Sequence, residues 1–262
     1  MSVRGFMACV LRTGGTNCDL ETKIALEELG IKTEVVHMNQ LKKKNIFNYH
    51  LIVFPGGFSY GDYVRAGAVW GKRVLASLGR ELEEFVEDGR LILGICNGFQ
   101  VLVEAGILPG DGVRETPSVA LANNSSAKYE CRWVHLRVEN NNTPFTVTMR
   151  KGEIIKIPIG HAEGRFIASE DTLKGLRENR QIVFRYVLPS GDDANGRYPY
   201  NPNGSIHDIA GICNKKGIVM GMMPHPERAF FGWQLLEWGR TPPSYGDGRK
   251  IFESIVSYLE SL

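Results

Sequence analysis

The sequence predicts an α/β fold: an open, mostly parallel sheet flanked by helices, followed by a strand-rich second half. Three observations predict it. Short apolar runs alternate with helical patterns through the first half of the chain. Two of those runs end in glycine-bearing turns, at Pro55-Gly56-Gly57 and at Gly94-Ile95-Cys96-Asn97-Gly98. From Ser118 onward the alternation gives way to short strand candidates separated by asparagine, glycine and proline.

The elements follow in order. Phe6 to Leu11 is an apolar strand, closed by Thr13-Gly14-Gly15. Asn17 is placed to cap a helix with Asp19 and Glu21 in its first turn, ending at Gly30. Lys32 to Met38 and Leu51 to Phe54 read as strands. A helical pattern covers about Arg65 to Glu87, Arg90 to Ile95 is the next strand, and Asn97 to Ala105 is a helix stopped by Gly106. Continuous apolar strands between helices imply a parallel sheet covered on both faces. In the second half, strands are expected at Ser118 to Ala122, Arg132 to Val138, Glu153 to Ile159, Gln181 to Leu188, Asp208 to Ile212 and Gly217 to Met223. A helix from about Arg249 to Leu259 closes the chain. Ser190 to Gly204 and Gly239 to Gly248 read as surface loops. No linker divides the sequence, so residues 1–262 are expected to form one domain.

Composition narrows the function. A net charge of +2 gives no electrostatic argument for nucleic acid or an acidic membrane. The run Lys42-Lys43-Lys44 stands alone and reads as a solvated segment. No apolar run approaches the ~20 residues of a membrane span, and the N-terminus lacks the pattern of a secretion signal. The five cysteines, Cys9, Cys18, Cys96, Cys131 and Cys213, are odd in number and widely spaced. They suggest free thiols in a reducing cytoplasm. No clustered Cys/His spacing argues for a metal, and no phosphate loop for ATP.

The sharpest signal is the cysteine elbow. Cys96 sits where a buried strand turns into a helix, between glycines that permit the tight turn. The positive end of the following helix favours a thiolate there. Attack on an amide creates an oxyanion, which needs backbone donors. Asn97, directly after the nucleophile, supplies one; the Pro55-Gly56-Gly57-Phe58 loop is placed to supply a second at the same sheet edge. A proton-transfer group is also required, and two His-x-Glu pairs compete: His161-Ala162-Glu163 and His225-Pro226-Glu227. In extended backbone, residues two apart point the same way, so either glutamate could orient its histidine. His225 is preferred because it follows an apolar strand; His161 remains a candidate near the site.

Gly94-Ile95-Cys96-Asn97-Gly98-Phe99-Gln100, together with His225-Pro226-Glu227, resembles the class I (triad) glutamine amidotransferases. Within that family the chain is similar to the glutaminase subunits of phosphoribosylformylglycinamidine synthase. The segments that carry this are Pro55-Gly56-Gly57-Phe58-Ser59-Tyr60-Gly61-Asp62, Asn124-Ser125-Ser126 with Cys131-Arg132-Trp133, Ile159-Gly160-His161-Ala162-Glu163-Gly164-Arg165-Phe166, and Met222-Met223-Pro224-His225-Pro226-Glu227-Arg228. The resemblance implies a flavodoxin-like amidotransferase fold and a triad of Cys96, His225 and Glu227. It implies an oxyanion hole at Gly57 and Asn97, a glutamine pocket shaped by Gln100, and the Asn124 to Trp133 segment near the amino-acid end of the substrate. It implies a large ATP-using synthetase partner, where ATP and magnesium would be used, a small accessory subunit, and no cofactor in this chain. Two departures stand out. Thr13-Gly14-Gly15-Thr16 replaces the usual Phe-Pro-Gly of the first loop, and the 190–204 and 230–248 segments are longer than usual. Other readings stay open: a stand-alone cysteine hydrolase of the same superfamily, an inactive scaffold, or a glutaminase feeding another synthetase.

Overall fold

The structure is a computed structural model that describes residues 5–41, 43–110, 117–236 and 243–262. Its first half is built as the alternation predicts: β1 (Met7–Arg12), α1 (Asp19–Glu28), β2 (Lys32–His37), a short α2 (Met38–Leu41), β3 (Leu51–Phe54), α3 (Ala68–Glu87), β4 (Leu91–Ile95) and α4 (Asn97–Glu104). The second half adds β5 (Val119–Asn123), β6 (Glu130–Val138), β7 (Ile154–His161), β8 (Glu163–Ala168), α5 (Glu170–Glu178), β9 (Ile182–Val187), β10 (Ile209–Cys213), β11 (Val219–Met222) and α6 (Arg249–Glu260).

Nine strands form one sheet in the order β2-β1-β3-β4-β11-β10-β9-β6-β7. The five strands from β2 to β11 run parallel. The other four continue the sheet antiparallel. A two-stranded antiparallel ribbon, β5-β8, lies beside it. β3 and β4 are buried along their whole length, as central parallel strands with both faces covered must be. A cluster of buried apolar side chains runs from Ala8 in β1 to Leu259 in α6.

One pairing positions the site. β11, from the far end of the sequence, returns to lie parallel beside β4, with Met222 opposite Ile95. The Cys96 N–H then donates to the Met222 carbonyl at 2.8 Å. Both chains therefore leave the sheet at the same carboxyl edge, where open α/β sheets hold ligands.

Several expectations shift. Cys18 rather than Asn17 occupies the cap position of α1, and it makes no side-chain cap; Asn17 Oδ1 instead accepts from the Cys18 thiol at 3.1 Å. α3 starts at Ala68, after Gly67 in a left-handed conformation, rather than at Arg65. β8 and α5 were not expected. α5 is short and mostly charged or polar, with Leu173 and Leu176 as its buried apolar residues; its start is set by Ser169, whose hydroxyl accepts from Thr172 N–H. The 190–204 loop is pinned from inside: buried Asn203 donates to Gly164 O at 2.8 Å, and Asn201 donates to Asp208. In the C-terminal loop Trp233 stacks on Phe231. Lys42 and residues 237–242, among them Trp238 and Pro242, lie outside the described residues.

Candidate active site

Cys96 is the hinge of the site. Its backbone sits at φ 50°, ψ −105°, a region in which a side chain costs ~1–3 kcal/mol. Such strain persists only where the surroundings enforce it. They do so through Gly98, where a Cβ would meet the Phe54 carbonyl at 1.8 Å. The turn must press that closely on β3 to let α4 begin at Asn97. Cys96 is 4% exposed, and its thiol points to the Gly160 carbonyl at 3.7 Å.

His225 stands beside it, 3% exposed, with Glu227 at 1%. His225 Nδ1 is 2.6 Å from Glu227 Oε1. Extended backbone would set the two side chains on one face. The geometry differs: His225 caps a 3-10 turn over Pro226–Ala229, and Glu227 reaches back to it from inside that turn. The His225 N–H donates to Pro158 O at 2.8 Å, tying the turn to β7. Burial alone would push the imidazole pKa down. The charges of Glu227 and Cys96, with the Cys18 and Cys96 thiols as hydrogen-bonding groups, hold it well above its ordinary value. Cys96 is thus close enough to support the imidazolium, yet Nε2 has no geometric hydrogen-bond partner in the resting arrangement. Catalytic contacts are commonly loose before substrate enters.

The second His-x-Glu pair behaves otherwise. Glu163 does not pair with His161; its Oε2 accepts from the Ala66 N–H at 2.9 Å. His161 Nδ1 lies 3.1 Å from Asn124 Oδ1. Burial first, then the charge of His225, push the His161 pKa down to about 3, so its ring is neutral.

A narrow pocket of about 40 Å³ is bordered by Cys96 and Gln100, by Gly57 and Asp62, and by Gly160, His161 and Glu163. Gln100 accepts from Asn97 Nδ2 at 3.0 Å and donates to the Glu163 carbonyl, so it spans two walls. Asp62 is pushed up to about 6 by burial and by Glu163. Gly57 pairs with Thr16 in an antiparallel bridge. The flanking bonds run from Phe58 N–H to Gly15 O and from Asn17 N–H to Gly56 O, so the Gly57 N–H takes no part in them. Its φ of 152° and a would-be Cβ 2.7 Å from Gly15 O admit only glycine. The departing segment Thr13 to Thr16 therefore folds directly against the expected oxyanion loop. The Asn97 N–H opens α4 and is among the donors a helix start leaves without an intrahelical partner.

Two neighbours went unnoticed in the sequence. Cys18 Sγ is 3.9 Å from His225 Nδ1, and Arg228 Nη2 is 3.1 Å from the same sulfur. Only the fold joins positions 207 and 210 residues apart. Burial first pushes the Cys18 thiol up to about 11, which leaves it protonated and unsuited as a nucleophile. Cys18, His225 and Glu227 offer donor atoms within 4.8 Å of one another. The His225–Glu227 hydrogen bond occupies two of those donors, and the Arg228 cation opposes a metal at the third. Size does not mark the site either: a wider cleft of about 390 Å³, bordered by Leu82, Val86, Ile107 and Lys215, holds neither thiol nor histidine.

A cysteine on a strand-to-helix elbow, a histidine and carboxylate on the next strand end, and a glycine loop bordering the same pocket define a class: a thiol-dependent amidohydrolase on an α/β sheet. Comparison with known proteins agrees. The profile of the CobB/CobQ-like glutamine amidotransferase domain matches residues 6–259. The phosphoribosylformylglycinamidine synthase subunit PurQ of Archaeoglobus fulgidus is 48% identical, over 97% of each chain. That of Methanococcus maripaludis is 47% identical, over 94% of each. The solved structure of PurLQS from Thermotoga maritima contains a chain 41% identical with a TM-score of 0.75, covering 97% of this chain and 99% of that one. The chain belongs to the glutamine amidotransferase family and, within it, to the family of PurQ subunits.

Proposed function

We propose that this chain is the glutaminase subunit of phosphoribosylformylglycinamidine synthase, with Cys96 as nucleophile, His225 as proton-transfer group and Glu227 as its orienting carboxylate. The observation that carries the assignment is the His225 Nδ1 to Glu227 Oε1 contact at 2.6 Å beside the strained Cys96 elbow. Cys96 thiolate attacks the side-chain carboxamide carbon of glutamine. The Gly57 and Asn97 N–H groups hold the oxyanion, each such donor contributing ~10²–10³ in rate. His225 gives its proton to the leaving ammonia, then activates the water that hydrolyses the glutamyl thioester. Glu227 fixes the ring and supports its charge. Gln100 shapes the pocket.

Ammonia passes along a protected path to a large synthetase subunit, assembled with a small accessory subunit. The synthetase converts formylglycinamide ribonucleotide to formylglycinamidine ribonucleotide with ATP and magnesium, and this chain carries no cofactor of its own. The names of the relatives and of the PurLQS assembly support these partners. Residues 1–262 act as one domain, supported by the buried cluster shared across both halves. Unpaired cysteines are consistent with the cytoplasm, and among the described residues no helix is long and apolar enough to cross a membrane.

The test is Cys96→Ser in the reconstituted assembly. Glutamine-dependent synthesis should vanish while synthesis from ammonium salts persists. Loss of both activities would assign the cysteine to assembly instead.

A further inference from the structure

The proton on His161 is located by its neighbours. Asn124 Nδ2 donates to the carbonyls of Lys128 at 2.9 Å and His161 at 2.8 Å. That fixes the amide orientation, and Asn124 Oδ1 accepts from the Gly164 N–H at 3.1 Å. The same oxygen lies 3.1 Å from His161 Nδ1. An amide oxygen only accepts, so Nδ1 must carry the single proton of the neutral ring. Nε2 is then a bare lone pair. It is buried and has no hydrogen-bond partner; the ring packs against Gly164, and His161 is among the residues that border the pocket containing Cys96. A buried acceptor left empty is costly unless a ligand fills it.

We propose that His161 is a positioning residue whose Nε2 accepts a hydrogen bond from the side-chain amide of glutamine, and so separates glutamine from glutamate. The inference rests on the glutaminase reading above. With the carboxamide oxygen turned toward the Gly57 and Asn97 N–H groups, the amide nitrogen is left for an acceptor on another wall. His161 supplies one, next to the Gly160 carbonyl already used by the Cys96 thiol. The product carboxylate has no N–H. It would set lone pair against lone pair, which weakens product binding and favours release. Held neutral by burial and by His225, the ring cannot gain a second proton to welcome the carboxylate.

The experiment measures equilibrium binding of glutamine and of glutamate to the full chain carrying Cys96→Ala, with and without His161→Phe. Phenylalanine keeps the ring volume and removes the acceptor. The glutamine-to-glutamate affinity ratio should fall at least about tenfold, with glutamine bound more weakly and glutamate, freed of the lone-pair repulsion, bound no more weakly than before. Equal weakening of both amino acids would overturn the inference, because a structural role or a contact with the α-ammonium group, which both ligands carry, does that. An unchanged ratio would overturn it as well. Should Cys96→Ala alone bind neither amino acid and the unmodified chain release no ammonia from glutamine, the parent reading fails first. A crystal structure of the Cys96→Ala chain with glutamine needs no change at His161. It should place the side-chain nitrogen within about 3.2 Å of Nε2, and the α-ammonium group found there instead would refute the proposal.

Discussion

The chain writes His-x-Glu twice, and the two halves of the sheet turn the same three letters into opposite chemistry. At the end of β11 the backbone breaks into a 3-10 turn, and Glu227 folds back onto His225. At the end of β7 the chain enters β8, Glu163 turns to the Ala66 N–H, and an amide takes the place the carboxylate would have held. The outcome is one buried imidazole held above its ordinary pKa and one held at about 3. Burial is equal in the two, so the ring's partner decides. A carboxylate at Nδ1 makes a proton carrier; an amide makes a fixed acceptor.

Substitutions can break this comparison in graded steps. His225→Asn removes the proton carrier and should cut glutamine turnover by ~10³-fold or more, read in a glutaminase assay; near-normal turnover would hand the role to His161. Glu227→Gln leaves the ring in place but removes the charge that outweighs burial, so His225 should fall toward the neutral state seen at His161. Turnover at neutral pH should drop ~10²-fold, and alkylation of Cys96 by a glutamine-mimicking electrophile should slow in parallel. The sign follows from the cause: the imidazolium that supports the thiolate is lost on deprotonation, and a lower imidazole pKa brings that loss to lower pH. Glu163→Gln keeps an oxygen for the Ala66 N–H and touches no histidine, so it should change turnover less than ~10-fold. A loss as large as that of Glu227→Gln would erase the contrast between the two pairs.

Much of this was legible in the sequence. The apolar runs at Leu51–Phe54 and Leu91–Ile95 marked central parallel strands, and the glycine-flanked Cys96 marked the elbow, because local sterics and burial dictate both. The pairing of β11 with β4 was not legible: no local pattern tells a strand near residue 220 to return beside one near residue 93. The contacts of Cys18 with His225 and with Arg228, across more than 200 residues, likewise follow only from the tertiary fold. The sequence prefers His225 over His161 because it follows an apolar strand, and β11 does lead to it; what the sequence does not show is why only one of the two glutamates meets its histidine. Extended backbone would have served both pairs equally, and the 3-10 turn after Pro226 makes the difference. The expected cap at Asn17 failed because its side chain found the Cys18 thiol first.

The opposite protonation of the two histidines is open to direct observation. Nitrogen-15 NMR of histidine-labelled protein at neutral pH reports each ring nitrogen separately. His225 should show both nitrogens protonated, and His161 a protonated Nδ1 with a bare Nε2. A neutral His225, or a proton on Nε2 of His161, would contradict the account.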